Sequence, residues 1–194
     1  MTASSQVQPT IRTRRLELHH LSVYQMVTLY ERPEDASIYE GQSFANPHRH
    51  LIDDSGPLKW RVPQVKSNPA LNKWFLRWIV LKSTREIIGS TSFHGPPSAE
   101  GMIEIGLGFH PDFQGQGYGP EALVGMWSWA IEDTQVKRLR YTVSQSNTRS
   151  MKVIEKFGFD NVGVQIDDID GPESIYEMSS WDFRRLFWID WRGP

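Results

Sequence analysis

Hydrophobic and polar residues alternate in several stretches of the chain and recur at helical spacing in others. The first alternation is IRTRRLELHHL, where Leu16 and Leu18 stand between polar neighbours, and it predicts a strand. The next segment, SVYQMVTLYER, begins with Ser22 as a helix N-cap. Its apolar residues share one helical face and predict a helix packed on the core: Val23, Met26, Val27 and Tyr30.

Regular periodicity is lost between about Pro33 and Lys73. Long irregular segments inside compact domains are often functional, although a variable surface excursion explains the composition equally well. We expect loops with short helices here, because five prolines interrupt any long regular element: Pro33, Pro47, Pro57, Pro63 and Pro69.

Three further runs predict an antiparallel meander. KWFLRWIVLK and EIIGSTSFHG are separated by the polar STR and form a hairpin, and GMIEIGLGFH follows the loop PPSAE. In the third run one face is apolar, and the two glycines leave the other face hollow. The apolar face holds Ile103, Ile105, Leu107 and Phe109, and the hollow face holds Glu104, Gly106, Gly108 and His110.

A glycine-rich stretch, HPDFQGQGYGPEAL, lies between this strand and a helical pattern. Gly115, Gly117 and Gly119 imply either positive φ or a close approach by another group. The helix is expected from about residue 119 to 133, with its free N–H groups pointing back into the loop. Such an arrangement binds an anion without a lysine, whereas the alternative is a connection with no ligand. The apolar face of the helix is Leu123, Trp127, Ala130 and Ile131.

The spacing of these glycines excludes two nucleotide-binding motifs. A Walker A loop ends in Gly-Lys-Ser/Thr, but Gly119 is followed here by Pro120 and Glu121. The dinucleotide fingerprint requires wider spacing of its last two glycines and an early βαβ unit, whereas this loop lies past the middle of the chain. We therefore expect neither kind of site.

The remaining segments complete a mixed α and β pattern. RLRYTVS predicts a strand, and NTRSMKVIEKFG predicts a helix that Asn147 caps and Gly158 ends. DNVGVQID and ESIYEMSSW form a strand pair. The C-terminal DFRRLFWIDWRGP is too aromatic for a solvated linker, so we expect it to pack on the body or on a partner.

Composition limits the class of protein. The 194 residues, 39% hydrophobic and 23% charged, suit one globular domain, and the net charge of -2 gives no general attraction to nucleic acid or membranes. The absence of cysteine excludes disulfides, thiolate metal sites and a cysteine nucleophile. A polar N-terminus and the lack of a long apolar run lead us to expect a cytoplasmic protein. His48 and His50 match no metal-binding motif, and no metal is expected.

The order of elements and three motifs resemble the GCN5-related N-acetyltransferase (GNAT) superfamily. Gln114-x-x-Gly117-x-Gly119 fits the family's Arg/Gln-x-x-Gly-x-Gly/Ala pyrophosphate loop. NTRSMKVIEKFGF is similar to the later segment in which an Asn begins a helix and a Gly-Phe pair ends it. IRTRRLELHHL resembles the first strand of the ribosomal-protein N-terminal acetyltransferase branch, which commonly reads Thr-x-Arg-Leu-x-Leu. Together these segments cover most of residues 11 to 180.

The resemblance implies an α+β fold in which flanking helices cover a mostly antiparallel, twisted sheet of about seven strands. Two neighbouring parallel strands are expected to splay apart and form an acyl-CoA cleft, with a β-bulge near Gly106 and Gly108. We expect a flexible N-terminus over residues 1–10, a single domain over residues 11–181 and an aromatic tail over residues 182–194.

The resemblance also implies acetyl-CoA as the acyl donor. Backbone amides near Leu107 to Phe109 are expected to bind the pantetheine arm and polarise the thioester carbonyl. The glycine loop is expected to bind the pyrophosphate. The glycines of the hollow face make room for the arm, or else only twist the sheet. The implied binding residues are Leu107, Gly108, Phe109, Gln114, Gly115, Gln116, Gly117, Tyr118, Gly119, Asn147 and Ser150.

Acetyl transfer to an amine requires that the ammonium first lose a proton. Glu104 on the hollow face is the candidate base, with a solvated or substrate-orienting carboxylate as the alternative. His94 and His110 end adjacent strands and offer proton relays or structural roles. Many family members place a Tyr in the helix after the Asn, but Ile154 stands there. Ser150 is then the hydroxyl available to bond the CoA sulfur, unless it only stabilises the first turn of the helix.

These implications predict transfer of an acetyl group from acetyl-CoA to a primary amine by direct attack in a ternary complex. The acceptor is a protein N-terminus or a small amine, and the segment from Pro33 to Lys73 is expected to select it. A non-catalytic acyl-CoA-binding or sensing module is the first alternative. The other alternative is an interaction protein whose tail, with Phe187, Trp188 and Trp191, drives self-association. A homodimer is compatible with the family.

Overall fold

Eight strands form a single sheet in the computed structural model, which describes residues 7–167 and 171–193. The order across the sheet is β1-β2-β3-β4-β5-β6-β8-β7, and all neighbours are antiparallel except β5 and β6. The strands are β1 (Ile11–Arg12), β2 (Leu16–His20), β3 (Arg77–Leu81), β4 (Glu86–Phe93), β5 (Met102–Phe109), β6 (Arg138–Ser144), β7 (Asp160–Asp167) and β8 (Gly171–Ser179). The expected α+β class and mostly antiparallel sheet are confirmed.

Five α-helices flank the sheet in the described part of the chain. They are α1 (Val23–Glu31), α2 (Leu58–Ser67), α3 (Tyr118–Ala130), α4 (Thr148–Lys156) and α5 (Ser180–Phe187). Short 3-10 turns occupy residues 36–39, 69–74 and 111–113. The first predicted strand divides into β1 and β2, because Thr13 turns the backbone by donating its N–H to the Leu16 carbonyl.

Sequence signals located the helix ends closely. Ser22 forms a capping box with Gln25 at the start of α1. Asn147 accepts the N–H of Ser150 at the start of α4, and Gly158 follows that helix with φ of +73°. Helix α3 begins one residue earlier than expected, with Gly117 as its N-cap.

Two details of the predicted helices were wrong. Tyr30 does not belong to the buried face of α1, since it is exposed while Met26 and Leu29 are buried. Pro63 does not interrupt regular structure, because it lies inside α2. Proline has no N–H to donate, so the carbonyl one turn earlier loses its hydrogen bond. Because the Pro63 side chain is solvent-exposed, that carbonyl lies on the outer face of the helix.

Helices α3, α4 and α5 share an aromatic core on one face of the sheet. The Trp127 ring of α3 lies 5.7 Å from Phe157 and 5.6 Å from Phe183, measured between centroids. The expected face of α3 is buried throughout. The opposite face of the sheet carries Trp78, against which Tyr39 stacks at 5.4 Å. The segment from Pro33 to Lys73 therefore covers this second face.

Both ends of the described part of the chain contact the sheet. Gln8 donates its N–H to His20, and the Pro9 carbonyl accepts from Arg77, so these residues of the expected flexible N-terminus are held in place. Residues 1–6 lie outside the described residues. At the other end, Phe183 and Trp191 are buried, and the expected boundary after residue 181 falls inside α5.

Candidate active site

A cleft opens where β5 and β6 separate. The two strands pair in parallel only from Met102 opposite Arg138 to Glu104 opposite Arg140. Beyond that point β5 continues along β4 and β6 continues along β8, so each strand follows a different neighbour. The predicted splay of two parallel strands is present in this geometry.

The splay leaves backbone groups of β5 facing the gap. Residues of an antiparallel strand bond alternately to one side and the other. The Glu104 carbonyl accepts the N–H of His94, just past β4, and His110, just past β5, donates its N–H to the Ile88 carbonyl. The register between them is continuous, so Leu107 and Phe109 direct their N–H groups away from β4. Those N–H groups point to the space that β6 has left.

The expected β-bulge at Gly106 and Gly108 was wrong. The register between β4 and β5 runs without a shift through both glycines. The irregularity lies one strand away, where Ile88 of β4 is an extra residue between the partners of Ile79 and Val80. The cleft arises instead because β6 remains paired with β8 over its whole length.

The glycine loop adopts the conformation that its composition predicted. Gly115 and Gly117 have φ of +75° and +79°, a region that disfavours other residues. Gly117 directly precedes α3, so the free N–H groups of that helix start at the loop. Gly119 lies within the first turn of the helix. The side chains of Gln114 and Gln116 brace the loop by donating to the carbonyls of Phe109 and Asp112.

Arg15 and Glu121 fasten the loop to the start of β2. The Glu121 carboxylate accepts the Thr13 hydroxyl, the Arg15 N–H and the Arg15 Nε, each at 2.6 Å. Arg15 also donates to the Gln116 carbonyl and lies 4.4 Å from the centre of the Tyr118 ring. Burial raises the pKa of Glu121, but the bonds from Thr13 and Arg15 outweigh it and lower this pKa overall. Arg15 was not predicted from the sequence as part of the site.

The hollow face of β5 opens into a cleft of about 1400 Å³. An added Cβ on Gly108 would meet nothing within 4 Å, and one on Gly106 would meet only the His94 ring at 3.1 Å. The opposite wall belongs to the segment from Pro33 to Lys73, including Leu51, Trp60 and other residues between His48 and Gln64.

Glu104 stands at the inner end of the cleft. Its side chain is 16% exposed, accepts a hydrogen bond from Thr142 of β6 and lies 3.5 Å from Nδ1 of His94. Partial burial lowers the pKa of His94, while the Glu104 charge opposes this and Arg61 adds to it. Glu104, His94 and Arg61 therefore influence one another across the cleft.

A pair of hydroxyl groups lines the other side of the gap. Ser150 of α4 and Tyr141 of β6 both line the cleft, and burial raises the pKa of Tyr141 while the Ser150 hydroxyl opposes this. Asn147 and Ser150 also line the cleft, although the Asn147 side chain is engaged as the cap of α4. Ile154 is fully buried, so the position where the family resemblance would place a Tyr faces the core.

The histidines that line the cleft lie at two places. His94 is near Glu104, whereas His110 packs its ring 4.6 Å from His48 near the outer end of the cleft. His50 meets the Ser90 hydroxyl at 2.9 Å, and burial lowers the pKa of His50 to about 4. No group of three potential metal-binding side chains occurs in the ranges that the structure describes.

The structure thus brings Glu104 and residues Leu107 to Phe109 of β5 to one cleft, whereas the glycine loop follows β5 along the chain and is not part of the cleft lining. It adds Tyr141, which the alternation of RLRYTVS could have indicated as an inward-facing residue. It also adds Arg61, for which the irregular segment gave no periodic signal. No helix within the described ranges is long and apolar enough to cross a membrane.

Comparison with known proteins agrees with this architecture. The sequence model of the family described as Acetyltransferase (GNAT) domain matches residues 14–160. The uncharacterized N-acetyltransferase YjdG of Bacillus subtilis (strain 168) is 38% identical over 96 residues, which is 49% of this chain and 56% of YjdG. The chain spans about half to two thirds of the length of the curated relatives that it matches.

Solved structures show the same fold. The ribosomal-protein-S5-alanine acetyltransferase from Vibrio fischeri has a TM-score of 0.63 at 16% identity, covering 91% of this chain and 99% of its own. The Microcin C7 self-immunity acetyltransferase MccE, solved with acetyl-CoA and AMP, has a TM-score of 0.58 at 22% identity, covering 86% and 93%. With the family match over residues 14–160, these results show that the chain belongs to the GNAT acetyltransferase family.

Proposed function

We propose that the protein is an acetyl-CoA-dependent N-acetyltransferase that acts on a primary amine in a ternary complex. The observation that carries this proposal is the cleft beside β5, where the amides of Leu107 and Phe109 point away from β4 and Gly108 is open, with the N-terminus of α3 following along the chain. Family membership supports acetyl transfer from acetyl-CoA to an amine in general. The chain has no cysteine, which excludes a cysteinyl acyl-enzyme.

The residues present fit the shape and charge of an acyl-CoA. The N–H groups at the start of α3 and in the loop from Gly115 to Gly119 suit the pyrophosphate, since helix N-termini attract anions. The N–H groups of Leu107 and Phe109 suit the pantetheine amides and the thioester carbonyl. Bound there, acetyl-CoA supplies the activated acetyl group. Asn147 and Ser150 lie along the same gap.

Glu104 is proposed to receive the proton that the attacking amine gives up. It lies on the hollow face of β5, reached from the side of the cleft that the segment from Pro33 to Lys73 lines. Thr142 fixes its carboxylate by donating a hydrogen bond. His94, neutral because its pKa is lowered, is placed to pass the proton on to solvent.

Ser150 and Tyr141 are proposed to stabilise the departing sulfur. They lie on the α4 side of the gap, opposite Glu104, so the proton acceptor and the proton donors flank the reacting group. The Tyr141 phenol is protonated at neutral pH, since burial raises a pKa that is ordinarily about 10, and it can therefore donate a hydrogen bond. This pair takes the place of the absent Tyr in α4.

The test is release of free CoA from acetyl-CoA in the presence of a broad amine panel, for the parent and for Glu104→Gln. We expect Glu104→Gln to lower kcat at least about 100-fold, which is the low end for a general base. Its acetyl-CoA affinity should stay within about threefold of the parent's. Glu100→Gln, on the exposed loop before β5, serves as the matched control and should match the parent.

Two results would count against the proposal. Turnover retained in Glu104→Gln would show that Glu104 takes no part in the reaction. Acetyl-CoA binding without turnover of any amine by the parent would favour the alternative of a non-catalytic acyl-CoA sensor.

A further inference from the structure

Two arginines are almost completely buried, and their surroundings differ. Arg77 lies in β3, donates to the carbonyls of Pro9 and Leu18, and packs over Trp129. These contacts join the N-terminal segment to the sheet and account for Arg77 structurally. Arg61 lies in α2 and is 8% exposed, and it lines the wall of the cleft.

The guanidinium of Arg61 has few partners. Its Nη1 donates to the neutral Gln64 side chain at 3.0 Å, and the group lies 5.5 Å from the centre of the Phe75 ring. Its Nε is buried with no hydrogen-bond partner among the residues that the structure describes, and no described carboxylate forms an ion pair with it. Burial lowers the pKa of Arg61 to about 10, so it remains a cation at neutral pH.

An unpaired buried guanidinium is costly, because desolvation of a charge is offset only by counter-ions and hydrogen bonds close to it. Glu104 is the carboxylate in the cleft that attracts it, yet the two groups do not form an ion pair. The wall of the cleft therefore holds a negative group and a positive group that do not pair with each other.

We propose that the acceptor is an amine that also carries a carboxylate, and that Arg61 binds this carboxylate. A guanidinium matches the two oxygens of a carboxylate in a bidentate pair, and Arg61 lines the wall of the cleft. The amine of the same molecule then lies toward Glu104. This inference rests on the proposed function and names its acceptor class: amino acids, as opposed to polyamines or other amines without an anionic group.

The experiment is calorimetric titration of the protein with a panel of amino acids and, for each one, its amino acid amide. The two members of a pair share the amine and the side chain and differ only in the carboxylate. The parent is expected to bind at least one amino acid about 10- to 100-fold more tightly than its amide, the range for a hydrogen-bonded charge. Equal binding of every pair, or binding of neither member, would overturn the inference.

Variants of Arg61 separate recognition from a structural role. Arg61→Met keeps the apolar length of the side chain and should abolish the preference for the acid, while Arg61→Lys should keep part of it. The control Lys66→Gln removes the same charge from the same helix at a residue that pairs with Glu31, and should keep the full preference.

Thermal unfolding distinguishes the two roles. If Arg61 were structural, its replacement would lower the midpoint of thermal unfolding. Arg61→Met removes an unpaired buried charge, so its midpoint should equal or exceed that of the parent. A lowered midpoint together with an unchanged acid preference would overturn the inference. Failure of acetyl-CoA binding or turnover would contradict the proposed function, but the amino acid and amide titrations would still test Arg61 directly.

Discussion

Tyr141 and Ser150 join two hydroxyl groups on the α4 side of the cleft, where a leaving thiolate would need a donor. If they act as one unit, removing either should cost nearly as much as removing both. We expect Tyr141→Phe, Ser150→Ala and the double variant each to lower kcat about 10- to 100-fold, below the full range for acid catalysis. The measurement is a double-mutant cycle on kcat with acetyl-CoA affinity measured in parallel. Additive losses would show that the two hydroxyls act independently and not as one unit, and unchanged kcat in Tyr141→Phe would show that the phenol takes no part in the reaction.

Residues of the site were predictable from the sequence where their signal was local. Glu104 and Gly108 follow from alternation along a single strand, and Gly117 follows from glycine spacing before a helix. Tyr141 and Arg61 were missed because their roles depend on what faces them from other segments. Tyr141 meets Ser150 only when β6 passes under α4, and Arg61 meets the cleft only when α2 lies across the sheet.

At the scale of elements, Glu121 connects the first turn of α3 to the start of β2. It accepts hydrogen bonds from Thr13 and Arg15, and Arg15 extends this contact to the carbonyl of Gln116 in the glycine loop. The carboxylate is also favourable near a helix N-terminus. The position of the anion-binding loop therefore depends on a segment more than one hundred residues earlier in the chain.

Glu121→Gln should loosen this connection. The amide removes the charge and one acceptor oxygen while Arg15 and Thr13 remain, so we expect a loss of about 1–3 kcal/mol in the free energy of unfolding. Acetyl-CoA affinity should fall as well, because the loop loses its support. The matched control is Glu132→Gln, which breaks the surface pair with Arg192 and should cost less than about 1 kcal/mol. Equal effects of the two changes in chemical denaturation would contradict this account.

The elements themselves were largely predictable, because alternation and helical period are properties of neighbouring residues. The meander, α3 and α4 were all expected in this order. The segment from Pro33 to Lys73 was expected only as loops with short helices, and α2 itself was not located, since it contains Pro63 and packs against α1 and residues 69–74. The splay of β5 from β6 was implied by resemblance, because strand separation has no signature in either strand alone.

For the whole molecule, burial of histidines predicts a loss of stability in mild acid. His20 accepts the Gln8 N–H at Nδ1 and donates from Nε2 to the Asn72 carbonyl, so both nitrogens are used by the neutral ring. Burial and the Arg77 charge lower the pKa of His20 to about 4, from 6.5. Between these values the unfolded chain binds a proton that the folded chain does not, so stability is greatest above pH 6.5 and falls toward pH 4.

We therefore expect His20 alone to reduce the free energy of unfolding by about 2 kcal/mol between neutral pH and pH 5. The measurement is urea denaturation of the parent and of His20→Gln across this range. The variant should be less stable at neutral pH but should show a flatter pH dependence. The same slope in both proteins would show that His20 is not the group responsible.

The C-terminal segment also acts at this scale. The Trp191 carbonyl accepts the Arg12 N–H, and the Ile189 N–H donates to Ser128 in α3. These bonds join the last residues to both β1 and α3. We propose that residues 11–181 and the aromatic tail form one folding unit, which the sequence could not decide because an aromatic segment suits a partner as well as the core.

The most direct test of the central claim is calorimetric titration with acetyl-CoA of the parent and of Gly108→Val. A Cβ on Gly108 meets nothing within 4 Å, and valine favours strands, so the variant should fold with an unchanged melting midpoint. Its side chain would occupy the space assigned to the acyl donor between β5 and β6. Micromolar binding by the parent, lost in Gly108→Val, is the result that we predict. A folded parent that does not bind, or a variant that binds as the parent does, would contradict the assignment of this cleft to acetyl-CoA.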